Sequence, residues 1–291
     1  MWVERKANAF DLFNYAIMVV MSACFLYPVV MTLALSFSDA DQLGNATVGV
    51  WPIGYSLNAY RLLLSDDRIL RFYLNTINYA GTGTLIMLIS TSMMAYPLTF
   101  RDFRGGKLVS ILLVISLFFS GGLVPTYLVV LRLGLVDTMW ALVLPPAISA
   151  FNVMIFRTFF ANIPSSLRES ASIDGAGHFT VLSRIIIPLS KPLLATFALY
   201  TVVMFWNDFF WSLIFLRDQD KQPIQLFLRR ILVLLDFRDV ENSMILEVIQ
   251  NISSRTVKGA AVIITITPIL CVYPFLQKYF TKGMMIGAIK A

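Results

Sequence analysis

Six apolar runs decide what this chain can fold into. They cover residues 12–38, 72–100, 108–131, 138–156, 192–216 and 259–277, and Asp208 is the one charged residue inside any of them. A helix needs about 20 apolar residues to cross roughly 30 Å of hydrocarbon. Runs of this length, apolar on every side, belong in a bilayer. Only 14% of the residues are charged, against about 25% in an average soluble domain. The expected fold class is therefore all-α: a polytopic membrane protein with six transmembrane helices. Residues 1–11 form a short lead, 12–277 the membrane domain and 278–291 a tail. The helices Asn58–Leu64 and 69–73 are expected as short interfacial pieces before the second run. Cys24 and Cys271 sit inside apolar runs. They read as small core residues, with no disulfide framework.

The formal net charge is +6. In a soluble protein that would raise nucleic acid as a partner. Here the basic residues lie in loops beside apolar runs, where lysine and arginine set topology, so no nucleic-acid role follows. Six spans put both termini on one side. The turn with Arg101, Arg104 and Lys107 faces the same side as the termini, and the opposite turn has only Arg132. The cytoplasm is the expected side for both termini.

Between the fourth and fifth runs lies a polar island, 157–191. Its segment 164–192 reads PSSLRESASIDGAGHFTVLSRIIIPLSKP. Ser166 and Glu169 have capping-box spacing, which predicts a helix start. Gly175 and Gly177 predict its end, because glycine accepts the left-handed conformation of a helix stop. Ser170, Ala171, Ser172 and Ala176 are small, so another protein can approach closely. Phe179, Leu182 and Ile186 fall at helical spacing and are expected to pack against the spans. His178 is the sole histidine and has no second ligand near it for a metal.

Asp208 lies nine residues before Arg217, about 13 Å from that end of its run. It has two readings: a hydrogen-bonded structural acid, or a lining residue of a substrate cavity with Trp206, Asn207 and Trp211. Aromatic rings there offer apolar faces to sugar C–H groups. No G-x-x-x-x-G-K-[ST] occurs, so the chain carries no nucleotide site of its own. Nothing supports a catalytic triad. No cofactor and no metal are expected on this chain.

The polar island resembles the coupling loop of binding-protein-dependent ABC importer permeases. Their E-A-A, D-G-A and closing isoleucine and leucine-proline pattern appears as Glu169, Ser170, Ala171, then Asp174, Gly175, Ala176, then Ile185, Ile187 and Pro188. Serine replaces the first alanine and keeps the position small. Trp206-Asn207-Asp208-Phe209 resembles the W-N-D-F of carbohydrate-uptake permeases. The tail, including Lys282, Gly283, Met284, Gly287 and Lys290, is similar to the ending of MalG-like subunits.

The resemblance implies an ABC importer type I permease fold in a bacterial inner membrane. It implies a heterodimer with a second permease and two ATP-binding cassette subunits that hold ATP and Mg. An extracytoplasmic solute-binding protein would deliver a carbohydrate, with uronate oligomers such as alginate or pectin fragments among the cargoes. The coupling loop and the tail would contact the ATPases. Two alternatives stand beside it. An ion-coupled secondary carrier needs several intramembrane acids or histidines and symmetric halves, and this chain has one such acid and no repeat. An ABC permease for a non-sugar solute differs only in cargo.

Overall fold

The structure is a computed structural model and describes residues 8–44, 46–234 and 255–271. All regular elements among them are helical. The tail residues Lys282, Gly283, Met284, Gly287 and Lys290 lie outside the described residues, as do the start of the lead and the end of the sixth run. The chain divides into two compact units, Met1–Asp67 with Leu228–Thr267 and Arg68–Phe227 with Pro268–Ala291.

The first unit is dominated by α1 (Ala9–Ser36), 28 residues and so about 42 Å long, and also holds the short α2 (Ala40–Leu43) and α3 (Asn58–Leu64). Asp11 in its first turn accepts the Asn8 amide at 3.0 Å, where a negative charge suits the helix dipole. Pro28 removes one donor from the interior, and the Thr32 hydroxyl bonds the Pro28 carbonyl at 2.8 Å. Nearly all of its apolar side chains are exposed, from Phe10 at 74% to Val30 at 37%. Water would not tolerate such a surface, but hydrocarbon does. Among the described helices, α1 alone is long and apolar enough by itself to cross a membrane. Within this unit, residues 255–267 are helical and meet α1 at Gly259. A Cβ on Gly259 would sit 3.2 Å from the Ser36 amide nitrogen and 3.3 Å from the Thr32 carbonyl, so the close approach requires glycine. Cys24 and Cys271 are both exposed. This corrects the expectation of core cysteines: an apolar residue of a membrane helix is satisfied by lipid as well as by a core.

The second unit is built on α4 (Ile69–Ala95), 27 residues or about 40 Å. Residues 69–73 open this helix and form no separate piece, whereas the expected short helix Asn58–Leu64 is present just before it in sequence. No proline or glycine interrupts this stretch before Gly81, so the helix has no reason to stop. Packed on α4 are α7 (Trp140–Val143), α8 (Ala150–Ala161) and α12 (Lys191–Trp206). The closest approach is at Gly83, where a Cβ would overlap the Phe205 ring of α12. Near the C-terminal end of α4, the side chains of Phe156, Phe160 and Ile186 are completely buried. Phe156 meets Phe197 edge-on at 5.0 Å.

Three of the apolar runs are not single helices. The third is split into α5 (Gly106–Phe118) and α6 (Leu123–Arg132), with Gly122 at φ +79° between them. The fourth breaks between α7 and α8 at Pro145 and Pro146. Proline has no N–H to give and disfavours helical geometry in the residue before it. The fifth breaks between α12 and α13 (Phe210–Phe215). The six runs stand in the sequence, but six uninterrupted helices do not stand in the structure.

Candidate functional site

The polar island folds as α9 (Ser165–Ile173), α10 (His178–Val181), a π-turn at Leu182–Ile186 and α11 (Ile187–Leu189). The expected capping box is not formed. Pro164 occupies the N-cap position at φ −52° and ψ 129°, without a side-chain cap bond. Its ring fixes the entry and starts the helix at Ser165, so Ser166 and Glu169 both fall inside α9. The end of α9 follows the expectation at Gly175. This residue takes φ +81°, its amide donates to the Ser172 carbonyl at 3.1 Å, and the Ala176 amide donates to the Ala171 carbonyl at 2.9 Å. These two bonds make a Schellman stop. Gly177 does not share in it. It is extended, at φ −72° and ψ 163°, and its carbonyl accepts the Val181 amide to open α10.

No residue of α9 is buried. Glu169, Ser170, Asp174 and Gly175 are exposed, while Ala171, Ala176 and Ile185 pack partly against the core cluster around Phe156. Leu182 and Ile186 are buried as expected, but Phe179 is 73% exposed. The π-turn explains the difference, because its larger number of residues per turn rotates the face shared by Leu182 and Ile186 away from Phe179. Its cause is Pro188. That residue has no N–H for the Arg184 carbonyl, and the Ile187 amide reaches back five residues to the Leu182 carbonyl. At Ser190 the chain bends by 80° into α12, with the Ser190 amide donating to the carbonyls of Ile186 and Ile187 at 3.0 and 3.1 Å.

One residue here has no signal in the sequence pattern. Arg168 leaves α9 and donates to the Thr99 hydroxyl at 3.1 Å. Its guanidinium carbon lies 5.3 Å from the centre of the Phe100 ring. That ring also meets His178 edge-on at 5.4 Å, so His178 is an aromatic contact.

A second feature lies where the fifth run breaks. Asp208 accepts the Trp211 amide at 3.2 Å on one oxygen. Its other oxygen accepts the Ser212 amide at 3.1 Å and the Ser212 hydroxyl at 2.8 Å. The carboxylate thus satisfies the free N–H groups that begin α13. Asn207, Asp208 and Trp211 line a cavity of about 540 Å³ together with Pro145, Met204 and Phe210, a size suited to a small ligand. Trp206 does not line it. This ring is buried and faces Tyr73 at 6.5 Å, on the opposite side of α12 from the cavity residue Met204. Trp211 stacks on Phe215 at 5.5 Å, and Phe215 stacks on Tyr127 at 6.2 Å.

Beyond α13, residues 216–224 form a strap over the N-terminal end of α4. Tyr79 donates to the Lys221 carbonyl at 2.6 Å, and Asn75 donates to the carbonyls of Asp220 and Gln222 at 2.7 and 3.1 Å. Arg71 pairs with Asp220. Asp137 holds the strap from the side: it accepts the amides of Arg217 and Asp218 at 3.0 Å each, and Lys221 Nζ at 2.7 Å. The Asp218 amide, the Lys221 ammonium and the Arg217 amide hold the Asp137 carboxyl down at about 2. The same pairing raises the Lys221 ammonium above its usual value.

The family model described as the binding-protein-dependent transport system inner membrane component matches residues 67–286. Protein LplC of Bacillus subtilis (strain 168) is 40% identical over 288 residues, which is 98% of this chain and 96% of that protein. The polygalacturonan/rhamnogalacturonan transport system permease protein YtcP of the same organism is 37% identical over 290 residues, 98% of this chain and 99% of that protein. A chain of a bacterial ABC transporter involved in importing the acidic polysaccharide alginate superposes with a TM-score of 0.86. It is 31% identical, and the match covers 96% of this chain and 99% of that one.

Proposed function

The chain belongs to the family of binding-protein-dependent transport system inner membrane components, and from that premise we propose that it is the permease subunit of an ATP-driven carbohydrate importer. The observation that carries the reading is α9: a helix with no buried residue, stopped by a Schellman motif, in the segment that matches the family. A docking helix must be exposed to meet its partner and firmly ended to pass on force.

In this reading all six apolar runs cross the inner membrane, the third to fifth as broken spans, and both termini lie in the cytoplasm. A second permease completes a heterodimer, and a solute-binding protein delivers cargo from outside. Two ATPase subunits hold ATP and Mg and receive α9 through Glu169, Ser170, Ala171 and Asp174. Their closure moves α9, the Ser190 elbow passes the motion to α12, and the cavity at Asn207, Asp208 and Trp211 changes access. The tail residues from Lys282 to Lys290 make a second ATPase contact. The cargo is an acidic oligosaccharide, since two similar proteins belong to transport systems for polygalacturonan/rhamnogalacturonan and for alginate.

The test is uptake of oligogalacturonate into proteoliposomes holding this chain with its second permease, ATPase subunits and binding protein. Uptake should require ATP, and Glu169→Lys should abolish ATPase association and stimulated hydrolysis. Uptake driven by an ion gradient without ATP would return the secondary-carrier reading.

A further inference from the structure

Burial does not fix α9 on the body of the protein. It has no buried residue, and its apolar side chains Leu167 and Ile173 are 43% and 87% exposed. Its start has no side-chain cap. Beside the partial packing of Ala171, its tie is Arg168, which bonds Thr99 at 3.1 Å and covers Phe100 at 5.3 Å. Both partners belong to the short segment that ends α4. Thr99 in turn donates to the Tyr96 carbonyl at 2.8 Å, and Phe100 meets the buried Tyr96 edge-on at 5.2 Å. His178 from α10 reaches the same Phe100 ring at 5.4 Å. One ring therefore gathers the end of α4, α9 and α10.

This contact closes a mechanical circuit. From α9 the chain runs through α10 and α11 to the Ser190 elbow and into α12. That helix packs on α4 at Gly83 and Phe205, and α4 returns to α9 through Phe100 and Arg168. With the circuit closed, α9 and the two long helices move as one body. With it open, α9 is held by its chain links, to α8 through residues 162–164 and to the Ser190 elbow, and by the partial packing of Ala171.

We propose that Arg168 is a positioning residue that latches α9 to the end of α4, so that motion received by α9 reaches α4 directly as well as through α8 and the Ser190 elbow. The inference rests on the coupling role proposed for α9. The planar guanidinium suits the task, because it can donate to a hydroxyl and cover a ring together, which an ammonium does less well.

The test uses the full chain in nanodiscs, with Cys24 and Cys271 replaced by Ala. Nitroxides at Ile173→Cys and Met93→Cys report the distance from α9 to α4 without any ATPase. A narrow distribution should broaden in Arg168→Ala. In the assembled transporter, Arg168→Ala should keep ATPase association and basal hydrolysis while cargo moved per ATP falls roughly tenfold, with Arg168→Lys intermediate. Phe100→Leu keeps apolar bulk and should match Arg168→Ala, while Phe100→Tyr should behave as the parent. The double variant should be no worse than either single one, since both remove the same contact. An unchanged distance distribution and an unchanged ratio of cargo to ATP in Arg168→Ala would overturn the latch. Loss of ATPase association in Arg168→Ala would also overturn it, by making Arg168 a docking contact. If the parent chain binds no ATPase, the coupling reading falls, and the distance measurement still judges the latch by itself.

Discussion

At its N-terminal end α4 carries the strap 216–224, tied by Tyr79, Asn75 and Arg71 and held from the side by the Asp137–Lys221 pair. At its C-terminal end, about 40 Å away, it carries α9, with no residue buried, Ala171 partly packed and one guanidinium as its polar tie. The strap end combines many polar bonds to backbone carbonyls and amides with the buried side chains of Leu216 and Ile224 at its two ends. The α9 end leaves its surface open and concentrates its attachment on Phe100. A segment held at many points keeps its shape under load. A segment held at few points can move with what it meets, which is what a coupling element needs.

The largest change to this contrast should come from the helix that joins the two ends. Gly83→Val would drive a side chain into the Phe205 ring and should cost about 1–3 kcal/mol through overpacking. Nitroxide mobility should rise at both ends together, and Phe205→Ala in the same chain should restore part of the thermal midpoint. Loosening at one end only would refute α4 as the common support.

Next in size is the cap of α13. Asp208→Ala removes three hydrogen bonds and should cost about 1–2 kcal/mol, with uptake reduced at unchanged ATPase association. Asp208→Asn keeps one carbonyl acceptor and should retain most of the uptake. If Asn instead abolishes uptake at normal expression, the acid acts on cargo and is more than a cap.

At the α9 end, Gly175→Ala places a side chain at φ +81° and should cost about 1 kcal/mol. Faster amide exchange at Gly175 and Ala176, without change in the strap, is the expected reading.

The smallest effect should follow Lys221→Met, because an exposed ion pair contributes little. Its pH dependence is the sharper probe. The folded Asp137 carboxyl is depressed to about 2, so its contribution is complete above the ordinary carboxylate range and disappears as pH falls toward about 2. The Lys221 ammonium is raised, so its contribution is complete below the ordinary lysine value and disappears as pH rises through the raised one. A spin label at Gln219 should stay immobile between those limits. Asp137→Asn should remove the acid-side transition.

Much of the site was legible because its signals are local. Gly175 announces its turn, and Pro188 sits four residues from the carbonyl it deprives. The helix start was misread, because a capping-box spacing at Ser166 and Glu169 competes with the proline just before it, and the proline's fixed backbone wins. Trp206 was misplaced by neighbourhood. Adjacent residues on a helix point about 100° apart, so one member of Trp206-Asn207-Asp208 can face a core while the others face a cavity. Arg168 with Phe100, and Asp137 with Lys221, lie 68 and 84 positions apart, and no periodicity connects them. The broken spans were hidden for another reason. Hydropathy reports where a segment is apolar, and a break capped by its own carboxylate, as at Asp208, leaves that profile nearly unchanged.

The π-turn at Leu182–Ile186 has a consequence for how this loop tolerates changes of length. A π-turn holds one residue more than the α-helix it interrupts. Deleting one residue there would remove the surplus and leave both flanks oriented as before, with only the carbonyl four residues before the proline still lacking a donor. A deletion within α9 has no such surplus to draw on, and would swing everything behind it by about 100°. The loop thus carries a spare residue at the one place where losing it leaves α12 aimed as it is.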